Sequence, residues 1–142
     1  MKKKLFAVLL MVCVLASLPF EASASEGTPL ESISNARYEA IVQLRVHTGM
    51  KGSIATSTCD YYLKDTSYSC DITLTLEYST DKVNWEEEES WTDTFSGMRG
   101  SYSESKAVYS GYYYRTVATV KVYDKYGNHV ETAEVEGSAV RY

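Results

Sequence analysis

From residue 37 onward the chain repeats one pattern, in which side chains alternate between apolar and polar with period two. The clearest run sets Cys70, Ile72, Leu74, Leu76 and Tyr78 against Asp71, Thr73, Thr75 and Glu77. Successive side chains of a strand point to opposite faces, so such a run builds a sheet with one apolar side. That side is stable only when a second layer covers it. The same alternation marks strands over about 37–47, 53–61, 69–79, 85–92, 102–109, 112–123 and 130–136, with a short closing strand over 139–142. In the first of these, Tyr38, Ala40, Val42, Leu44 and Val46 share the inward side; in the second, Ala55, Ser57, Cys59 and Tyr61 do. Along 112–123 the more apolar side carries Tyr112, Tyr114, Thr116, Ala118, Val120 and Val122. Asp124-Lys125-Tyr126-Gly127-Asn128 has the chemistry of a hairpin turn, with Gly127 suited to a positive φ. Seven or eight strands at this spacing give an all-β, antiparallel sandwich, with a small barrel as the alternative.

The first 24 residues carry a different signal. Lys2, Lys3 and Lys4 precede an apolar run from Leu5 to Leu18, and Ala22-Ser23-Ala24 provides small residues around a cleavage point after Ala24. The expected product is a secreted, extracellular protein. A retained anchor fits less well, because the run is 14 residues long and a span takes about 20. A lipoprotein reading of Cys13 fails because Val12 before it is not small and much of the apolar run follows it. Residues 25–36 read as a flexible polar lead-in, with a weak helical signal from Pro29 to Ala36. Cleavage leaves 118 residues, which suits one domain over 37–142. With three lysines and Glu21 removed, 11 basic and 18 acidic residues remain, a net charge of −7. Nucleic acid and anionic lipid are therefore excluded as expected partners, and no stable membrane anchor is expected after cleavage.

Two cysteines remain after cleavage, Cys59 and Cys70. An even count in an exported chain favours a disulfide. Both fall on inward faces beside the same connecting loop, which makes a bridge near one end of the core reasonable. The alternative is a pair of free thiols. A metal site has less support, since neither histidine is near them in sequence, and no cofactor is expected.

Four consecutive acids, Glu86-Glu87-Glu88-Glu89, form the strongest charge feature. In a regular strand Glu87 and Glu89 share a face with Trp85 and Trp91. Such a run would suit a calcium site or a pair of glycosidase carboxylates. Its simpler reading is an edge strand, bulged or not, whose charges block edge-to-edge pairing. Trp85, Trp91 and an outward Tyr113 are the candidates for a surface that stacks sugars or contacts protein. Tyr112 and Tyr114 face inward by alternation, and Arg115 beside these tyrosines suits a cation–π contact. His47 and His129 accompany no nucleophile motif.

Several of these segments together resemble a group of small secreted proteins of unknown function from Gram-positive bacteria, often carried by gut anaerobes. The resemblance rests on Ala55-Thr56-Ser57-Thr58-Cys59, on Ile72 to Leu76 followed by Trp85 and Trp91, on Gly111 to Arg115, and on Val122 to Gly127 followed by Glu131-Thr132 and Ser138. It covers about residues 40–142, and here the polar stretch between the first strand and the cysteine is shorter than is usual for the group. The resemblance implies an immunoglobulin-like sandwich and brings no catalytic residues. The expected function is that of a non-catalytic extracellular binding module for a protein or glycan. The alternatives are a secreted bacteriocin-like effector and, with less support, a small hydrolase.

Overall fold

The computed structural model describes residues 32–33 and 38–142. The expected signal peptide lies outside the described residues, as does most of the lead-in. Of the weak helical segment only Ser32 and Ile33 are described, and they form a short strand instead.

The strands are β1 (Ser32–Ile33), β2 (Ile41–Lys51), β3 (Ile54–Leu63), β4 (Ser69–Ser79), β5 (Glu86–Ser96), β6 (Arg99–Ala107), β7 (Tyr113–Tyr123), β8 (His129–Glu136) and β9 (Val140–Arg141). One sheet runs β1-β2-β3-β6; the other runs β5-β4-β7-β8, with β9 also paired to β7. Every pairing is antiparallel. The fold is the antiparallel β-sandwich that the alternation implies. Strand limits differ from expectation mostly at turns: residues 95–101, expected as a loop, instead extend β5 and β6 around a tight connection at Gly97.

The two inner faces meet in a core of Leu44, Val46, Cys59, Leu63, Cys70, Ile72, Leu74, Ala118, Val120 and Val122, each with no exposed surface. A second cluster fills the end of the sandwich where β7 begins: Ala55, Leu76, Val108 and Tyr114, flanked by Tyr78, Tyr112, Val140 and Tyr142. Three buried hydroxyls tie the sheets together in this part of the core. Thr116 on β7 donates to Ser57 on β3 at 2.8 Å and shares a hydrogen bond with Thr48 on β2, also at 2.8 Å. A buried hydroxyl without a partner is costly, and no buried side-chain polar atom among the described residues lacks one.

Both open sides of the sandwich are closed by carboxylates. On one, Glu131 of β8 accepts from the backbone N–H groups of Glu39 and Ala40 at 2.9 Å and of Ile41 at 3.3 Å, fixing the start of β2. On the other, Lys106 of β6 reaches Glu89 of β5 at 2.8 Å and Glu88 at 3.7 Å.

One inward assignment is corrected. The β2–β3 register shifts between Ile41 and Gln43, which turns Ile41 into the core (2% exposed) and Val42 outward (49% exposed). A bulge adds one residue and reverses the alternation that precedes it.

Candidate functional site

The outer face of the five-stranded sheet, at the end where β7 begins, gathers an aromatic and cationic cluster. Tyr113 and Arg115 are alternate residues of β7 and point out together. Across the sheet, Arg115 pairs with Glu77 and Tyr113 with Ser79 of β4, while on the other side Tyr113 pairs with Arg141 of β9. Trp85 lies immediately before β5, and the Arg115 guanidinium sits over its ring at 4.3 Å. The same guanidinium donates to Glu77 at 2.6 Å and Glu136 at 2.9 Å. Arg115 therefore makes the cation–π contact read from the sequence, with Trp85 and not with a tyrosine.

The Tyr113 ring has two cations of its own. Lys82 Nζ is 4.5 Å from its centroid and the Arg141 guanidinium carbon 5.1 Å, while Arg141 also donates to the phenol oxygen at 3.1 Å. Lys82 is placed by an unusual loop. Its φ is +62°, a conformation that side chains other than glycine rarely adopt. Asp81 holds that turn, accepting from the backbone N–H groups of Val83 and Asn84, from the Asn84 amide and from Ser79 Oγ. Ser79 Oγ in turn accepts from the Lys82 N–H at 2.9 Å. The backbone N–H groups of Asn84 and Val83 hold the Asp81 carboxyl well below its ordinary value. Strain at Lys82 is thus borne by a well-bonded loop, an arrangement common where a side chain must be held in place. Next to Lys82, Val83 stands 77% exposed.

Trp91 does not belong to this cluster. It packs against both core clusters, because the β4–β5 register shifts between Leu76 and Glu77. Glu88 is the extra residue of that bulge. Glu89 and Trp91 consequently face the core side, and Glu87 lies opposite Glu77. The shared face expected for Trp85, Glu87, Glu89 and Trp91 is corrected on that ground. The edge-strand reading of the acidic run fits, since β5 ends its sheet and carries the bulge. Three of the four acids have partners of their own: Glu86 accepts from the Tyr78 hydroxyl at 2.5 Å, and Glu88 and Glu89 hold Lys106. Among the described residues, no three His, Cys, Asp or Glu side chains gather in a way that could hold a metal ion. His129 contacts the Tyr123 ring and Thr132.

Cys59 and Cys70 face the same core from opposite sheets. The expected disulfide is not formed: both are free thiols. The even count spoke for a compartment, not for a geometry, and in the structure Cys59 gives a long S–H contact to the Asp60 carbonyl, 4.0 Å. Burial pushes the Cys59 thiol up to about 12 and the Cys70 thiol to about 11, so neither presents a reactive thiolate near neutral pH.

Sequence reasoning missed Lys82, Arg141, Glu77 and Glu136. Lys82 has only a turn as its local signal, and Arg141 reaches Tyr113 through a pairing between residues 28 apart.

No family model matches the chain, and no curated protein does. Among solved structures, it is similar to the X-ray structure of a Northeast Structural Genomics Consortium target. The TM-score is 0.48 at 11% identity, covering 75% of this chain and 89% of that one.

Proposed function

We propose that this chain is an exported, non-catalytic binding module whose contact surface is the outer face around Trp85 and Tyr113. The observation that carries this reading is the joint presentation of the two rings by one sheet face, Trp85 under Arg115, which Glu77 and Glu136 hold, and Tyr113 against Lys82 and Arg141. Rings fixed in advance lose little conformational freedom on binding. Of the acids that would otherwise suggest hydrolysis, Glu88 and Glu89 are engaged by Lys106 across the open side of the sandwich and Glu86 by Tyr78, which favours a binding role over a catalytic one. The immunoglobulin-like assignment and the kinship with the secreted Gram-positive group belong to the same proposal, as does processing after Ala24.

The test is a glycan array combined with capture from bacterial and host cell surfaces, using the processed protein and its Trp85→Ala variant. Retention by the native protein and its loss in the variant is the expected result. Equal retention by both would overturn the assignment of this face, and a turnover product released from any captured glycan would overturn the non-catalytic reading.

A further inference from the structure

β6 ends its sheet and, among the described residues, is the long edge strand that keeps a regular backbone. It faces β3 over nine consecutive partners with no shift of register. The other edges are obstructed. β5 carries the bulge at Glu88 and the acidic run, and β8 is bulged at Val130 and bears Glu131, Glu134 and Glu136. β2 is met by β1 and by the chain at Gly137.

Two hydrogen bonds fix which backbone groups of β6 point outward. The Val108 N–H donates to the Ser53 carbonyl and the Leu63 N–H to the Met98 carbonyl, one residue beyond each end of the strand. In an antiparallel ladder the bonded pairs recur at every second residue, so Gly100, Tyr102, Glu104 and Lys106 bond to β3. The N–H and C=O groups of Arg99, Ser101, Ser103, Ser105 and Ala107 therefore line the open edge, with small side chains at all of these but Arg99. Such an edge is a template for a further strand.

The strand is complementary to itself. Antiparallel pairing with a second β6 about a two-fold axis at Ser103 uses its whole length. Ser103 meets Ser103, Ser101 meets Ser105 and Arg99 meets Ala107, each outward N–H opposite an outward carbonyl. Between them Tyr102 meets Glu104. Lys106, drawn across the open side to Glu89, meets Gly100, which has no side chain to oppose it. No like charges stand directly opposite. Centring on Glu104 would instead set two carboxylates against each other, and centring on Tyr102 would leave Lys106 and Ala107 without partners. On the outer face Arg99 lies over the Tyr62 ring at 3.9 Å, and the Thr58–Ser103 bond of 2.7 Å continues into the second copy as one row of hydroxyls. We infer that β6 is a self-association edge, through which two copies of this chain join their β1-β2-β3-β6 sheets into one continuous sheet. A single strand pair buries less surface than permanent dimers do, so the association is reversible. It is independent of the binding-module reading and leaves the outer face around Trp85 and Tyr113 uncovered.

The experiment is sedimentation velocity of the processed protein over a range of concentrations, together with amide exchange at each. A reversible dimer is expected, and the outward amides of Ser101, Ser103 and Ser105 should exchange more slowly as concentration rises, while those of Tyr102 and Glu104 stay slow throughout. Two double variants, each first checked by thermal melt, test the register. Ser101→Lys with Ser105→Lys sets lysines opposite one another at two places and should weaken the dimer about tenfold. Ser101→Glu with Ser105→Lys sets opposite charges at the same places and should tighten it, both effects fading as salt rises. A monomer at every concentration, or a dimer indifferent to both double variants, would overturn the proposal. So would slowing of the outward amides by another protein of the culture fluid and not by the chain's own concentration. None of these results would touch the reading of the Trp85 face, which glycan and surface capture test separately.

Discussion

Replacing Thr116 with valine keeps the shape of the side chain and removes the hydroxyl at the centre of the Thr48–Thr116–Ser57 group. The native arrangement places two hydrogen bonds of 2.8 Å on that one oxygen, between residues fully or almost fully buried. Each is worth about 1 kcal/mol net, and a partner left without a bond in the core costs about 1–3 kcal/mol. Thr48 and Ser57 are cross-strand partners in the same sheet and can recover part of that loss by bonding to each other. A net destabilisation of about 2 kcal/mol follows, or roughly 10 °C in Tm for a domain of this size. Thr116→Ser keeps both bonds and deletes one methyl, for about 1 kcal/mol. Calorimetric melts of the two variants separate the contributions. The valine variant should be the less stable of the pair. If it melted at or above the native temperature, or above the serine variant, the hydroxyl group would not be what couples the sheets there.

Gly137→Ala should cost about 1–3 kcal/mol, because an added Cβ would stand 3.1 Å from the Val46 carbonyl oxygen and 3.3 Å from that of Thr116; Gly49→Ala, where the nearest atoms are 3.9 Å away, is the matched control in the same denaturant melt. Tyr61, Tyr102, Tyr114 and Tyr123 have hydroxyls raised above the ordinary value chiefly by burial, and Tyr78 by its bond to Glu86. Raised acids leave stability intact below an unfolded value of about 10 and reduce it as pH rises beyond, so a phenolate absorbance titration should show a late-ionising group of tyrosines that titrates together with unfolding. Asp65, Asp81 and Asp124 are each depressed by hydrogen bonds within their own turns. Their contribution is present above about pH 4 and lost as pH falls through the lowered values, so the protection of the Val83 and Asn84 amides, taken as their exchange rate relative to an unstructured peptide at the same pH, should hold at pH 5 and fall in stronger acid, a change that Asp81→Ala would abolish. Cys59 and Cys70 should take up no iodoacetamide in the folded protein at pH 8, as read by mass spectrometry; a labelled cysteine in a folded sample would contradict their burial.

The sandwich is legible wherever one period holds without interruption. Cys70 to Leu76 and Tyr114 to Val122 face inward as their alternation requires, and Gly127 takes a φ of +80° in the turn read from its neighbours. The exceptions share one cause. A bulge leaves no mark in the alternation of a polar stretch, so nothing local in Glu86-Glu87-Glu88-Glu89 shows which acid is the extra one, and the faces of Trp85 and Trp91 depend on that single residue. At Ile41 and Val42 the bulge is hidden in the opposite way, because the two neighbours are both apolar and either could face the core. The candidate site was half visible. Tyr113 follows from parity within β7, whereas the approach of Lys82 needs a left-handed turn at a non-glycine residue and that of Arg141 needs β9 to pair beside β7. Both are tertiary facts, and the free thiols likewise depend on geometry that a cysteine count does not contain.

The division of labour between the two tryptophans is tested most directly by melting Trp85→Ala and Trp91→Ala side by side. Trp91 joins both core clusters, and its truncation should cost about 2–4 kcal/mol, toward the lower part of the range for buried aromatic residues because it is only half-buried. Trp85 gives up a surface cation–π contact of about 0.5–1 kcal/mol and should melt within a few degrees of the native protein. A Trp85 variant that melted as low as the Trp91 variant, or a Trp91 variant that melted like the native chain, would contradict the bulge, the faces drawn from it and the surface built on them.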